Sequence, residues 1–101
     1  MHLIEILLPL TDNEGKPFPA KKYATVRNLL MAEFGGMTAF TRAPAEGLFE
    51  TGGRTVRDDI VVLEVMAPSL DRDRWRALRR QFEQEFVQDE IVIRASRIER
   101  L

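Results

Sequence analysis

The 101-residue sequence predicts a ferredoxin-like α+β sandwich, a four-stranded antiparallel sheet with two helices on one face. Three observations lead there. Apolar spacing switches twice between a two-residue and a helical period, giving the order strand, helix, strand, strand, helix, strand. Gly52-Gly53 joins the middle pair of strands as a hairpin drawn out beyond the other two. Right-handed crossovers then produce the antiparallel βαββαβ arrangement, with the first and third strands central.

Residues 2–8 alternate, with His2, Ile4, Ile6 and Leu8 opposed to Leu3, Glu5 and Leu7. Pro9 has no N–H to give a ladder and ends the strand. Residues 10–19, with Asp12-Asn13-Glu14-Gly15 inside, read as a turn-rich loop. From Ala20, Tyr23, Val26, Leu29, Leu30 and Phe34 form a helical stripe, started by Pro19 and stopped by Gly35. Residues 37–42 alternate as a strand, residues 43–47 interrupt it, and residues 48–50 form a short further strand. After the glycine pair, residues 55–66 form a strand in which Asp58-Asp59 predicts a bulge or break.

Pro68 closes that strand and Asp71 caps a second helix, with Leu70 and Trp75 spaced as a hydrophobic staple. Trp75, Leu78, Phe82 and Phe86 share one face of it, and Arg79 and Glu83 are spaced for an ion pair. Arg72, Arg74, Arg76, Arg79 and Arg80 crowd its first half, the reverse of what the helix dipole favours. A solvated surface accounts for them, with an anion-binding or partner face as the alternative. Residues 91–98 make the last strand, with Ile91, Ile93 and Ala95 on one face and Val92, Arg94, Ser96 and Ile98 on the other.

Length and composition predict a single domain over residues 1–101 with one core. The absence of cysteine removes disulfides, thiolate nucleophiles and thiolate metal sites, and fits a cytoplasmic protein. No signal peptide or membrane span is expected at the start of the chain. A net charge of -1 gives no field to draw nucleic acid or an anionic membrane. GC-rich codon usage accounts for the excess of arginine over lysine ahead of anion recognition. Asp58-Asp59 would point to opposite strand faces, and with one histidine no metal site is expected. No phosphate loop, nucleophile elbow or stacking aromatic pair is present, and no cofactor is expected.

The face without helices has its own pattern. Leu3, Leu7, Val62, Met66, Val92 and Ile98 all fall on it. An apolar patch on the order of several hundred Å² is seldom left in water. The expectation is a homo-oligomer packed sheet to sheet, most simply a dimer, with an open cleft for a small molecule as the other outcome. Glu5, Glu64 and Arg94 fall on the same face. Two carboxylates with an arginine in a partly dry cavity suit acid–base work; a satisfied interface ion pair is the plainer reading.

The run Phe34-Gly-Gly-Met-Thr-Ala-Phe-Thr-Arg-Ala-Pro-Ala-Glu-Gly-Leu resembles a family of short bacterial proteins of unknown function. So do Val56-Arg-Asp-Asp-Ile-Val-Val-Leu-Glu-Val-Met, Glu90-Ile-Val-Ile-Arg-Ala and the opening Leu7-Leu-Pro-Leu-Thr-Asp-Asn-Glu-Gly. The resemblance spans nearly the whole chain and implies no activity. Such sequences often read Gly-Leu-Trp where this one has Gly47-Leu48-Phe49. It implies Thr38, Arg42, Glu46 and Asp59 as ligand-binding candidates near the hairpin. Two functions are carried forward: a self-assembling binding protein for a small molecule or protein partner, and a dimeric α/β-barrel-type enzyme, isomerase- or monooxygenase-like, using Glu5, Glu64 and Arg94.

Overall fold

A computed structural model describes the backbone of residues 1–101 and every side chain except those of residues 41–47, 49–51 and 54–59. The elements are β1 (His2–Pro9), α1 (Ala20–Phe34), β2 (Thr38–Thr51), β3 (Arg54–Ala67), α2 (Arg72–Glu85) and β4 (Ile93–Arg97). The strands form one sheet in the order β2-β3-β1-β4, with every neighbouring pair antiparallel. This is the ferredoxin-like arrangement that the alternation and the glycine hairpin predict.

Strand phase sets the core. Ile4, Ile6 and Leu8 of β1 are fully buried, as are Leu63 and Val65 of β3 with Val61 and Ala67 nearly so. Against them pack Val26 and Leu30 of α1, and Trp75, Leu78 and Phe82 of α2 with Phe86 at its end. The two helices meet through Phe34 and Trp75, whose rings stack with centroids 4.7 Å apart. Beside that stack, Arg74 Nε donates to both Glu33 carboxylate oxygens at 2.9 Å. This pairing raises the Arg74 pKa further above its ordinary value. At the other end, Phe18 meets Phe86 edge-on at 5.0 Å and ties the loop before α1 into the core. Tyr23 donates its hydroxyl to the Pro9 carbonyl at 2.5 Å.

Local chemistry places the helix ends. Gly35 takes φ 79°, a left-handed conformation open to glycine, and its N–H closes on the Met31 carbonyl. The Asp71 carboxylate accepts from the Arg74 N–H at 3.1 Å. After α2, Gln88 N–H donates to Glu83 O at 2.9 Å and Val87 N–H to Gln84 O at 3.3 Å. That is a Schellman closure, but its left-handed residue is Val87, at φ 48°. A β-branched residue there is strained.

Three boundaries differ from the sequence reading. The second strand is continuous, without a break at residues 43–47; a register shift between Phe40 and Ala45 absorbs the irregularity. β2 lies at the sheet edge, where a proline removes no ladder bond on the free side. β3 runs through Asp58-Asp59 in unbroken register with Gly47 and Glu46. β1 pairs with β3 only as far as Ile60, so the acidic pair sits in a two-stranded ribbon outside the central sheet. β4 begins at Ile93 rather than at residue 91, because Ile91 turns under α2 and donates its N–H to Glu83 Oε2 at 2.9 Å.

Val87→Gly should relieve about 1–2 kcal/mol of left-handed strain and lose roughly 0.5–1 kcal/mol to unfolded-chain entropy. The expected net gain is a melting midpoint a few degrees higher by calorimetry; a lower midpoint would contradict the strain. Burial raises the Tyr23 pKa above 10.0. The folded chain then holds a proton that the unfolded chain releases, so stability falls as pH rises through 10 and beyond. In urea unfolding at about pH 8 and about pH 11, Tyr23→Phe should lose less stability over that interval than the parent. Equal losses would rule out a contribution from Tyr23.

Candidate functional site

The helix-free face of the sheet carries the strongest constellation. Register places Thr38 opposite Glu64, Glu64 opposite Glu5, and Glu5 opposite Arg94, so the four residues form one row across all four strands. Residues directly opposite in a ladder point to the same face. Arg94 Nε donates to Glu5 Oε1 at 3.2 Å and Nη2 to Glu5 Oε2 at 3.5 Å, a two-point contact. Glu64 makes no hydrogen bond or ion pair among the described residues. The three predicted catalytic candidates, Glu5, Glu64 and Arg94, are therefore neighbours, as the topology implies.

The rows on either side are apolar. On one side Phe40, Val62, Leu7 and Val92 stand in sequence across the sheet, and on the other Met66 and Leu3 stand beside Ser96. Phe40 and Met66 are each 48% exposed and Val92 is 44% exposed, a high share for side chains of this size. The polar row is thus a band of two carboxylates and one guanidinium between two apolar bands. Within it the charges sum to one excess negative charge.

Of the ligand-binding candidates, Thr38 joins this row at its β2 end and is exposed. The side chains of Arg42, Glu46 and Asp59 lie outside the described residues; the backbone register sets Glu46 opposite Asp59. His2 sits at the strand edge, partly buried, with Nδ1 shielded and unpartnered. No three His, Asp or Glu side chains converge among the described residues. No described helix is long and apolar enough to cross a membrane.

The sequence reading did not place Phe40 in this face. Its phase with Thr38 carries the signal, but the register shift at residue 40 hides which side the rest of the strand follows. Spacing alone gives Leu70 and Trp75 as a staple and Trp75 as part of the apolar helix face, with no sign of a groove. In the fold they line a groove beside Arg72, Arg76 and Arg79.

The chain has a ferredoxin-like fold. No protein-family model and no curated protein sequence matches it. Solved structures do. A phage SAM lyase in complex with S-methyl-5'-thioadenosine superposes with a TM-score of 0.62 at 12% identity, covering 94% of this chain and 79% of that one. The divalent cation tolerance protein CutA1 of Thermus thermophilus gives a TM-score of 0.64 at 14% identity, covering 99% and 86%. The periplasmic CutA of Archaeoglobus fulgidus gives 0.63 at 16% identity, also covering 99% and 86%. At these identities the likeness establishes the shared fold alone.

Like charges directly opposite in a ladder oppose folding, while the Glu5–Arg94 pair offsets part of that cost. Glu64→Gln should therefore stabilise the chain by about 0.2–1 kcal/mol. Glu5→Gln removes the repulsion and the Arg94 pair together and should gain less. Urea unfolding of both variants at neutral pH decides it, and a less stable Glu64→Gln would show that Glu64 has a partner on this face.

Proposed function

We propose that the chain is a homo-oligomeric binding protein that assembles through its open sheet face and holds a small molecule at the rim of that interface, beside Glu5, Glu64 and Arg94. In this reading residues 1–101 act as one ferredoxin-like domain in the cytoplasm. The observation that carries it is the polar row set between two apolar rows on a face that no helix covers.

The physical argument has two parts. The apolar bands gain from leaving water at about 25 cal/mol per Å² of apolar surface, and a second copy of the same face offers matching bands. The polar row cannot simply be buried with them. Two carboxylates share one arginine, and an uncompensated carboxylate in a dry interface costs on the order of several kcal/mol. A ligand with a cationic or hydrogen-bond-donating group at the row would complete the charge balance, which is why the rim is the place for it. The phage SAM lyase supports the reading in one respect: a chain of similar fold is seen with a small molecule bound.

Light scattering of the purified protein should give a multiple of the 11.6 kDa chain mass. Val62→Lys places a charge in the apolar band without touching the helix-covered core and should yield soluble monomer or aggregate. An assembly of unchanged mass in Val62→Lys would refute the sheet-face interface.

A further inference from the structure

A second feature lies on the other side of the sheet, at the edge strand β4. There α2 and β4 leave a groove of about 230 Å³, its rim formed by Arg72, Arg76 and Arg79 and its floor by Leu70, Trp75 and Ile93. The arginines stand four and three residues apart, so they share one helix face and span about 10 Å along it, at 1.5 Å per residue. Their present partners are weak. Arg76 meets Asp73 at 3.5 Å with both side chains well exposed, and Arg79 reaches Glu83 only at 4.0 Å. The exposed Arg76–Asp73 pair holds its guanidinium loosely, and the Arg79–Glu83 contact is at the distance limit of an ion pair.

We infer that this groove is a binding site for a small amphipathic anion, an organic phosphate or sulfate ester with one compact apolar ring. The arginine rim supplies planar donors that suit phosphate oxygens. Of the three, Arg72 stands in the first turn of α2, where the helix dipole adds to its charge beyond what Asp71 and Asp73 offset, so an anion at that end of the groove is favoured further. The floor explains why the anion needs an apolar body. Leu70 is only partly buried against the core, and Ile93 and Trp75 continue that surface inward. The size selects a small ligand, since about 230 Å³ falls just below the ~300–1,000 Å³ of sites for drug-sized molecules. Arg94 of the open-face row also borders this groove, but Arg72, Arg76, Arg79 and the apolar floor belong to it alone, and the site goes beyond the binding function proposed for that face.

Trp75 is the single tryptophan of the chain, so the groove carries its own reporter. Phenyl phosphate titrated into the full-length protein at low salt should change Trp75 emission saturably. Inorganic phosphate, which has no apolar body, should bind at least tenfold more weakly. The double variant Arg76→Gln/Arg79→Gln should lose at least tenfold in affinity for phenyl phosphate while melting at the parent temperature. Glu64→Gln should bind phenyl phosphate as the parent does. Equal affinity in the arginine double variant would overturn the proposal. So would tighter binding of a hexaglutamate peptide than of phenyl phosphate, which would assign the groove and the free β4 edge to an extended acidic partner.

Discussion

The phase of β1 is the constraint on which the rest of the structure depends. It lies between β3 and β4, paired on both sides. With Ile4, Ile6 and Leu8 toward the helices, three side chains are fully buried, each contributing about 1.5–3 kcal/mol. A slip of one residue would send Leu3, Glu5 and Leu7 inward instead and bury Glu5 in the middle of an apolar core. Glu5 thus does two things. It excludes the wrong register, and in the right register it meets Glu64 on one side and Arg94 on the other.

That same phase creates an asymmetric molecule. The helices use one face of the sheet, and aromatic contacts tie them together there, Phe34 with Trp75 between the helices and Phe18 with Phe86 from the loop before α1 to the end of α2. The opposite face keeps nearly as many apolar side chains, yet neither helix covers them. A strand whose outward phase only met water would be expected to alternate with polar residues. Where β1 and β3 pair, over residues 2–9 and 60–67, they depart from that alternation except at Glu5 and Glu64, and those two stand opposite each other. In the proposed reading, self-assembly accounts for the apolar bands and a site at the interface for the charged row between them.

Most of this was legible in the sequence because the signals are local and agree with one another. Helix α1 ends at a glycine that takes the left-handed conformation, and α2 begins at an aspartate whose carboxylate caps it. The neighbourhood of Glu5, Glu64 and Arg94 followed from strand phase plus topology, with no need for coordinates. Long-range balances were harder to read. Pro44 signals a break, but an edge strand tolerates it. Asp58-Asp59 signals a bulge, but the pair lies beyond the reach of β1, where charge costs little. Nothing in the sequence marks Val87 as the left-handed residue after α2. The groove under the α2 arginines was half visible, as a charge cluster. Its floor joins Leu70 and Trp75 to Ile93 of β4, which is distant in the chain.

The central claim is that the open sheet face is covered when the protein is at work. Two methionines test it within one sample. Met31 on α1 and Met66 on the open sheet face are each 48% exposed in the isolated chain, so an uncovered sheet gives peroxide comparable access to both. Oxidation of the native protein, followed by mass spectrometry of the two peptides, compares them directly. The account predicts that Met66 is oxidised several-fold more slowly than Met31 and that the two rates converge in Val62→Lys. Equal rates in the parent protein at working concentration would contradict it.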